Sequence, residues 1–300
     1  MYHFAIPDSN DTGPINMVLL NMMEEKKQWF YDDFKIDMAY GCPPSCIWNG
    51  NRSDFGIVAE PCDWGRGVVE FYAHYKIKYR LTFTNFLLRR EHLYDTYGNK
   101  IAEVLNKYGG YVMVSIPLMA DYMKKYPNLK VCWSTTTDYG KTADECVEKI
   151  NELSRDAIVV LPRDMNSRPE VDRLIHPENI EVLVNELCVD DCPHRMEHYR
   201  QNNLFNIMET DTMPMCKMQH IKHDPSYIPK HRISREQIPL FAKKGITKYK
   251  IEGRLDKANT ITAYLEYFVL PSFRMDFLDY MDNQLKKQFS PKTNIFRDTD

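Results

Sequence analysis

The stretch Tyr111-Val112-Met113-Val114-Ser115-Ile116 is short and β-rich, and runs of this kind recur along the chain, most of them followed by a longer helical pattern. Working outward from it, the others are His3–Ile6, Lys35–Tyr40 and Leu81–Thr84 on one side. On the other side come Lys130–Ser134, Ala157–Leu161, Ile180–Asn185 and Lys248–Glu252. Strands that alternate with helices are the signature of a parallel sheet covered by crossover helices. Eight of them in 300 residues suit a single TIM-like (β/α)8 barrel of the α/β class, which ordinarily needs about 250 residues. The expected organisation is one barrel domain over 1–300, with long rim loops at 41–65 and 186–231.

Helix punctuation agrees with this count. Pro14 sits where a first helical turn tolerates a missing N–H, and Asn16 to Phe30 then runs with helical apolar spacing. Ser234 and Gln237 form a capping-box pattern, and Gly245 stands where a glycine would end that helix before the last strand. Asp256 is placed to cap a final long helix through Tyr267.

The 43% apolar content allows a real core, and the 27% charged content excludes a disordered polyelectrolyte. With 39 Lys+Arg against 42 Asp+Glu, the formal net charge is −3. No global positive field draws nucleic acid or membrane, so an RNA partner would have to be met by a local patch. Asn16 and Asn21 interrupt the one candidate leader stretch, Pro14 to Met23, and no apolar run approaches the 18 residues of a membrane span. The chain reads as cytoplasmic, and the sequons at Asn10 and Asn51 then carry no weight.

Eight cysteines, at 42, 46, 62, 132, 146, 188, 192 and 216, are many for an enzyme of a reducing compartment. Those that cluster point to metal binding or catalysis. In a barrel the chemistry gathers on the loops after the strands, and the strongest signal lies after the seventh: Cys188-Val189-Asp190-Asp191-Cys192-Pro193-His194-Arg195-Met196-Glu197-His198, with Cys216 further along the same segment. Thiolates hold iron–sulfur clusters or zinc. A fourth thiolate must come from elsewhere, and Cys46, after the second strand, is preferred to Cys42. Zinc is the alternative, through Cys188, Cys192 and His198. A third cysteine three positions after Cys192, as radical S-adenosylmethionine clusters want, is replaced by Arg195.

The second signal is Tyr249-Lys250-Ile251-Glu252-Gly253-Arg254. Strand alternation that turns Tyr249 and Ile251 toward the helices turns Lys250, Glu252 and Arg254 inward. Three charges are too costly to leave unpaired in a dry core, so they should line a wet mouth, with Lys250 and Glu252 paired and Arg254 open to an anion. Arg52 could join Arg254 on a carboxylate or phosphate, and Glu186 or His198 could move protons. His220, His223 and His231 take no role.

The cysteine segment together with Lys250-Ile251-Glu252-Gly253-Arg254 resembles the U32 peptidase family, the collagenase-like proteases. The resemblance implies a TIM-like barrel. Members of the wider family include oxygen-independent hydroxylases acting on RNA bases or ubiquinone precursors, the latter with a [4Fe–4S] cluster held by four cysteines. Carried over, Cys188, Cys192 and Cys216 look like three cluster ligands. This chain departs from the pattern in having no cysteine after Cys216, which leaves Cys46 for the fourth position. Neither a Gly-x-Ser-x-Gly elbow nor a His-Glu-x-x-His motif supports a peptidase mechanism. The expected function is an iron–sulfur barrel enzyme doing redox or hydroxyl-transfer chemistry on a small or nucleotide-like substrate. The alternatives are a U32-type or zinc hydrolase, and a noncatalytic barrel with a metal staple.

Overall fold

In the computed structural model the described residues are 1–9, 11–50, 60–185, 188–222, 227–253 and 257–289. Eight parallel strands close into a barrel in sequence order: β1 Tyr2–Pro7, β2 Phe34–Gly41, β3 Lys78–Phe83, β4 Gly110–Val114, β5 Leu129–Trp133, β6 Ile158–Val160, β7 Ile180–Leu183 and β8 Lys248–Lys250. All eight expected strands are present, and β3 begins three residues earlier than its apolar run suggests. The ring shuts where His3, Phe4 and Ala5 of β1 pair with Lys248, Tyr249 and Lys250 of β8. A register shift between Phe4 and Ala5 lets β1 follow β2 around the curve.

Helices between the strands bury one face against the sheet. Asp95 starts Thr96–Tyr108 by accepting from the Gly98 N–H at 2.6 Å. Thr142 and Glu145 form a capping box at the head of Ala143–Ser154. The Ser234/Gln237 box also forms, opening a short 3-10 turn that runs into the helix Ile238–Lys243, and Gly245 follows with φ +87°. Such a left-handed backbone favours glycine.

Three readings of the sequence are corrected. The first helix spans Gly13–Glu25, with a separate 3-10 turn at Lys27–Trp29, so it does not reach Phe30. Lys257–Tyr267 is not the last helix, because Pro271 opens a turn that continues into Arg274–Phe289. The 186–231 segment is not all loop, since it carries the helix Arg195–Asn206. That helix is too polar to show an apolar period.

Most of the apolar core lies between barrel and helices, with Phe4, Leu81, Val112, Val182, Tyr249 and Ile251 facing outward into it. At the seam, Phe30 and Val269 form an antiparallel bridge, and the Tyr31 N–H and Leu270 N–H donate to the carbonyls of Phe268 and Trp29. Phe277 packs on Phe30, and Phe273 stacks on Trp29.

The barrel interior is lined by small apolar clusters, including Met38 and Tyr40 on one side and Met113, Cys132 and Val160 on the other. Among them sits an ion pair that reaches from β3 to β7. Arg80 donates to both carboxylate oxygens of Glu181, at 2.9 and 2.7 Å, and both side chains are almost fully enclosed. No helix of the described residues is long and apolar enough to cross a membrane.

Candidate functional site: the thiol-lined barrel mouth

β8 sends its side chains in opposite directions, as its alternation requires. Tyr249 and Ile251 join the outer core, while Lys250 and Glu252 are buried facing a cavity of about 150 Å³ at the C-terminal ends of the strands. Lys250 lies in register between Ala5 of β1 and Leu183 of β7. Its ammonium stands 3.9 Å from the centre of the Tyr40 ring and 3.5 Å from the Met113 sulfur. An aromatic face stabilises a desolvated cation there.

Glu252 takes Arg163, from the loop after β6, as a two-pronged partner at 3.1 and 3.3 Å. Its backbone is fixed by the Asn185 amide, which accepts from the Glu252 N–H at 2.7 Å and donates to the Glu252 carbonyl at 2.8 Å. The cavity wall continues through the hydroxyls of Thr82, Thr84, Ser134, Thr135 and Thr136.

Opposite this polar wall stand the thiols. Cys188, Cys192 and Cys216 all line the same cavity, as do His194, His198 and Arg195. Each of the three cysteines is free and partly buried. Cys188 and Cys216, 28 positions apart in the chain, thus line one cavity, which the spacing alone could not establish.

Behind that wall lies a second cluster. The Arg195 guanidinium donates to Asp164 at 3.0 and 3.1 Å and to the Val189 carbonyl at 2.9 Å. Burial opposes the charge of Arg195, yet the Cys188 sulfur and the Asp164 carboxylate raise its pKa above the ordinary guanidinium value. Lys230 pairs with Asp191 and holds its carboxyl below the usual range, first through the hydrogen bond and then through charge. Among the described residues, the group whose ligand atoms converge within 4.8 Å of one another is Asp164, Asp191 and His231, rather than the cysteines.

The remaining expected site residues are distributed as follows. Cys46 is 2% exposed, belongs to the apolar core, and is not part of the cavity wall. Glu186, Arg52 and Arg254 lie outside the described residues. Cys132, inside the barrel, is pushed up to about 11 by burial, against the pull of Arg80. Sequence reading missed Arg163, Asp164, Arg195 and His231. Loop position after β6 was the available signal for the first two, and the irregular setting of His231 gave none.

The chain matches no family model, and no curated protein matches it. Among solved structures it is similar to the U32 peptidase Mk0906, with 11% identity and a TM-score of 0.49, over 84% of this chain and 92% of that one. The molecule itself is a closed (β/α)8 barrel whose mouth combines a cation-rich wall with three thiols.

Proposed function

We propose that the protein is an iron–sulfur barrel enzyme performing redox or hydroxyl-transfer chemistry on a small or nucleotide-like anionic substrate. The observation that supports this reading is the convergence of Cys188, Cys192 and Cys216 on one cavity with Lys250, Arg163, Glu252 and His198. The donor set fits a soft metal centre, because three partly buried thiols share a wall and Arg195 stands beside Cys188, where a cation favours the thiolate. Cys46 lies off that wall, so the cavity offers three thiolates and leaves a fourth position to another ligand. A [4Fe–4S] cluster bound there would supply one-electron transfer to the site.

The chain's own groups do the rest. Lys250 and Arg163 attract and orient an anionic group, with the hydroxyls of Thr82, Thr84 and Ser134 completing its hydrogen bonds. Glu252, pinned by Arg163 and Asn185, keeps the cation wall in register. His198, which lines the cavity with His194, is the imidazole assigned to hold or pass a proton. Leu183, Val189 and Met218 limit water around the thiols.

Anaerobic purification with iron and sulfide analysis tests this directly. The expected protein is brown, with broad thiolate-to-iron absorption that is lost in Cys192→Ser and Cys216→Ser and retained in Cys46→Ala. A colourless, iron-free protein after anaerobic reconstitution overturns the proposal. Stoichiometric zinc in its place would turn the reading toward a hydrolase.

A further inference from the structure

His231 follows the polar rim segment and is 4% exposed. Its Nδ1 lies 2.7 Å from the Ser167 hydroxyl, which fixes the ring. Its other nitrogen, Nε2, is buried and has no hydrogen-bond partner, and neither has the buried Oδ1 of Asp190. These two atoms are 3.7 Å apart, and Nε2 is 3.5 Å from Oδ1 of Asp164. An Asp191 carboxylate oxygen completes a group with Asp164 and His231 in which all ligand atoms lie within 4.8 Å.

Leaving buried donors and acceptors unsatisfied costs free energy, so two orphaned atoms facing one another call for an explanation. Their spacing is too long for a hydrogen bond and close to the edge of a coordination polyhedron. Ligands held about 2.1 Å from a tetrahedral cation stand roughly 3.4 Å from each other. Among the described residues, Asp164 is paired with Arg195 and Asp191 with Lys230. A ligating histidine ordinarily donates its far ring N–H to an oxygen acceptor that orients the ring, and the Ser167 hydroxyl oxygen is placed to accept from Nδ1.

We propose that Asp164, Asp190, Asp191 and His231 form a binding site for one divalent cation, distinct from the thiol wall, that staples the Cys188–Cys192 turn to the loop after β6. Carboxylate oxygens with one imidazole make a hard to borderline donor set, suited to Mn2+ and unlike the soft thiol set. Lys230 lies at the exposed edge and would yield Asp191 to the ion. Arg195 would remain on Asp164, whose oxygens have lone pairs for both partners. The cation would then sit behind the cavity and hold the thiol-bearing turn in place without touching substrate.

Mn2+ tests the site, because thiolates compete for it poorly and its free form is read by electron paramagnetic resonance. Chelator-treated wild-type protein should bind one Mn2+ per chain saturably. His231→Gln and Asp164→Asn should each weaken binding at least tenfold, while Cys216→Ser leaves it unchanged. Should either of these variants fail to fold by circular dichroism, Asp191→Asn decides, since that side chain is 62% exposed and the substitution is tolerable. Absence of saturable Mn2+ binding in the wild type would overturn the proposal. So would equal affinity in the wild type and the Asp/His variants. Wild-type protein that stays iron-free after anaerobic reconstitution yet binds Mn2+ would reject the iron–sulfur reading alone.

Discussion

The barrel encloses two acidic–basic pairs that look alike on paper and differ in what surrounds them. Arg80–Glu181 lies deep in the interior, with side chains 0% and 4% exposed. Arg163–Glu252 lies at the mouth, at 12% and 8%, where a cavity meets both. The Tyr40 ring faces both levels, with Lys250 close on it and the Arg80 guanidinium 6.0 Å from its centre. In the lower pair Arg80 is wholly enclosed while Glu181 borders a second cavity, of about 230 Å³, at the N-terminal ends of the strands; both members of the upper pair line the thiol-bearing mouth. Position along the barrel, and not charge or a neighbouring cavity alone, separates the two.

The comparison breaks most sharply at Glu181. Glu181→Gln leaves the fully enclosed Arg80 charge without its carboxylate, and the expected loss is about 3–5 kcal/mol, seen as a clear fall in denaturation midpoint. Glu252→Gln removes the same type of partner at the mouth. There cavity water can reach Arg163, so a smaller loss of about 1–2 kcal/mol is expected in the same denaturation experiment. Equal losses would mean that the mouth is as sealed as the interior. Cys216→Ser should change the stability of the metal-free protein by less than about 1 kcal/mol while abolishing the iron binding proposed for the mouth, which separates a ligand from a packing residue.

Sulfur chemistry sharpens the same contrast. Alkylation at mildly alkaline pH, followed by mass spectrometry, should label exposed Cys62 first and the partly buried mouth cysteines next. Cys132 should stay unlabelled until unfolding, because its raised pKa keeps it a thiol. The sign follows for stability: a folded value of about 11 against an ordinary thiol near 9 means the fold loses stability as pH rises from 9 toward 11. The smallest effect belongs to Asp191, whose carboxyl is held low by Lys230. Its contribution is present above the ordinary carboxylate range and fades as pH falls through the lowered value. In Lys230→Met, an NMR titration should show the Asp191 carboxyl returning upward.

The strands were legible because each buries side chains on both faces or alternates cleanly, as Tyr111–Ile116 and Tyr249–Glu252 do. The direction of Lys250 and Glu252 followed from that period alone. The partners of Glu252 and Glu181 were not legible: Arg163 comes from a loop, and Arg80 is 101 residues from Glu181, so only strand order around a closed ring brings them together. The expected pairing of Lys250 with Glu252 is replaced in the structure by the Tyr40 face for one and Arg163 for the other. Helix Arg195–Asn206 escaped for a different reason: a rim helix that buries few apolar groups leaves no periodic trace.

The bridge between Phe30 and Val269 gives the barrel a clasp beside the place where its first and last strands meet. The helix Arg274–Phe289 and the turn before it lie over that clasp through Phe277 and Phe273 respectively. Removing it would uncover the aromatic latch on Trp29 and Phe30, and the ring would come undone from its closure outward while the cysteine rim was still in place. The tail of the fold thus acts as the keeper of a lock whose bolt is the pairing of β1 with β8.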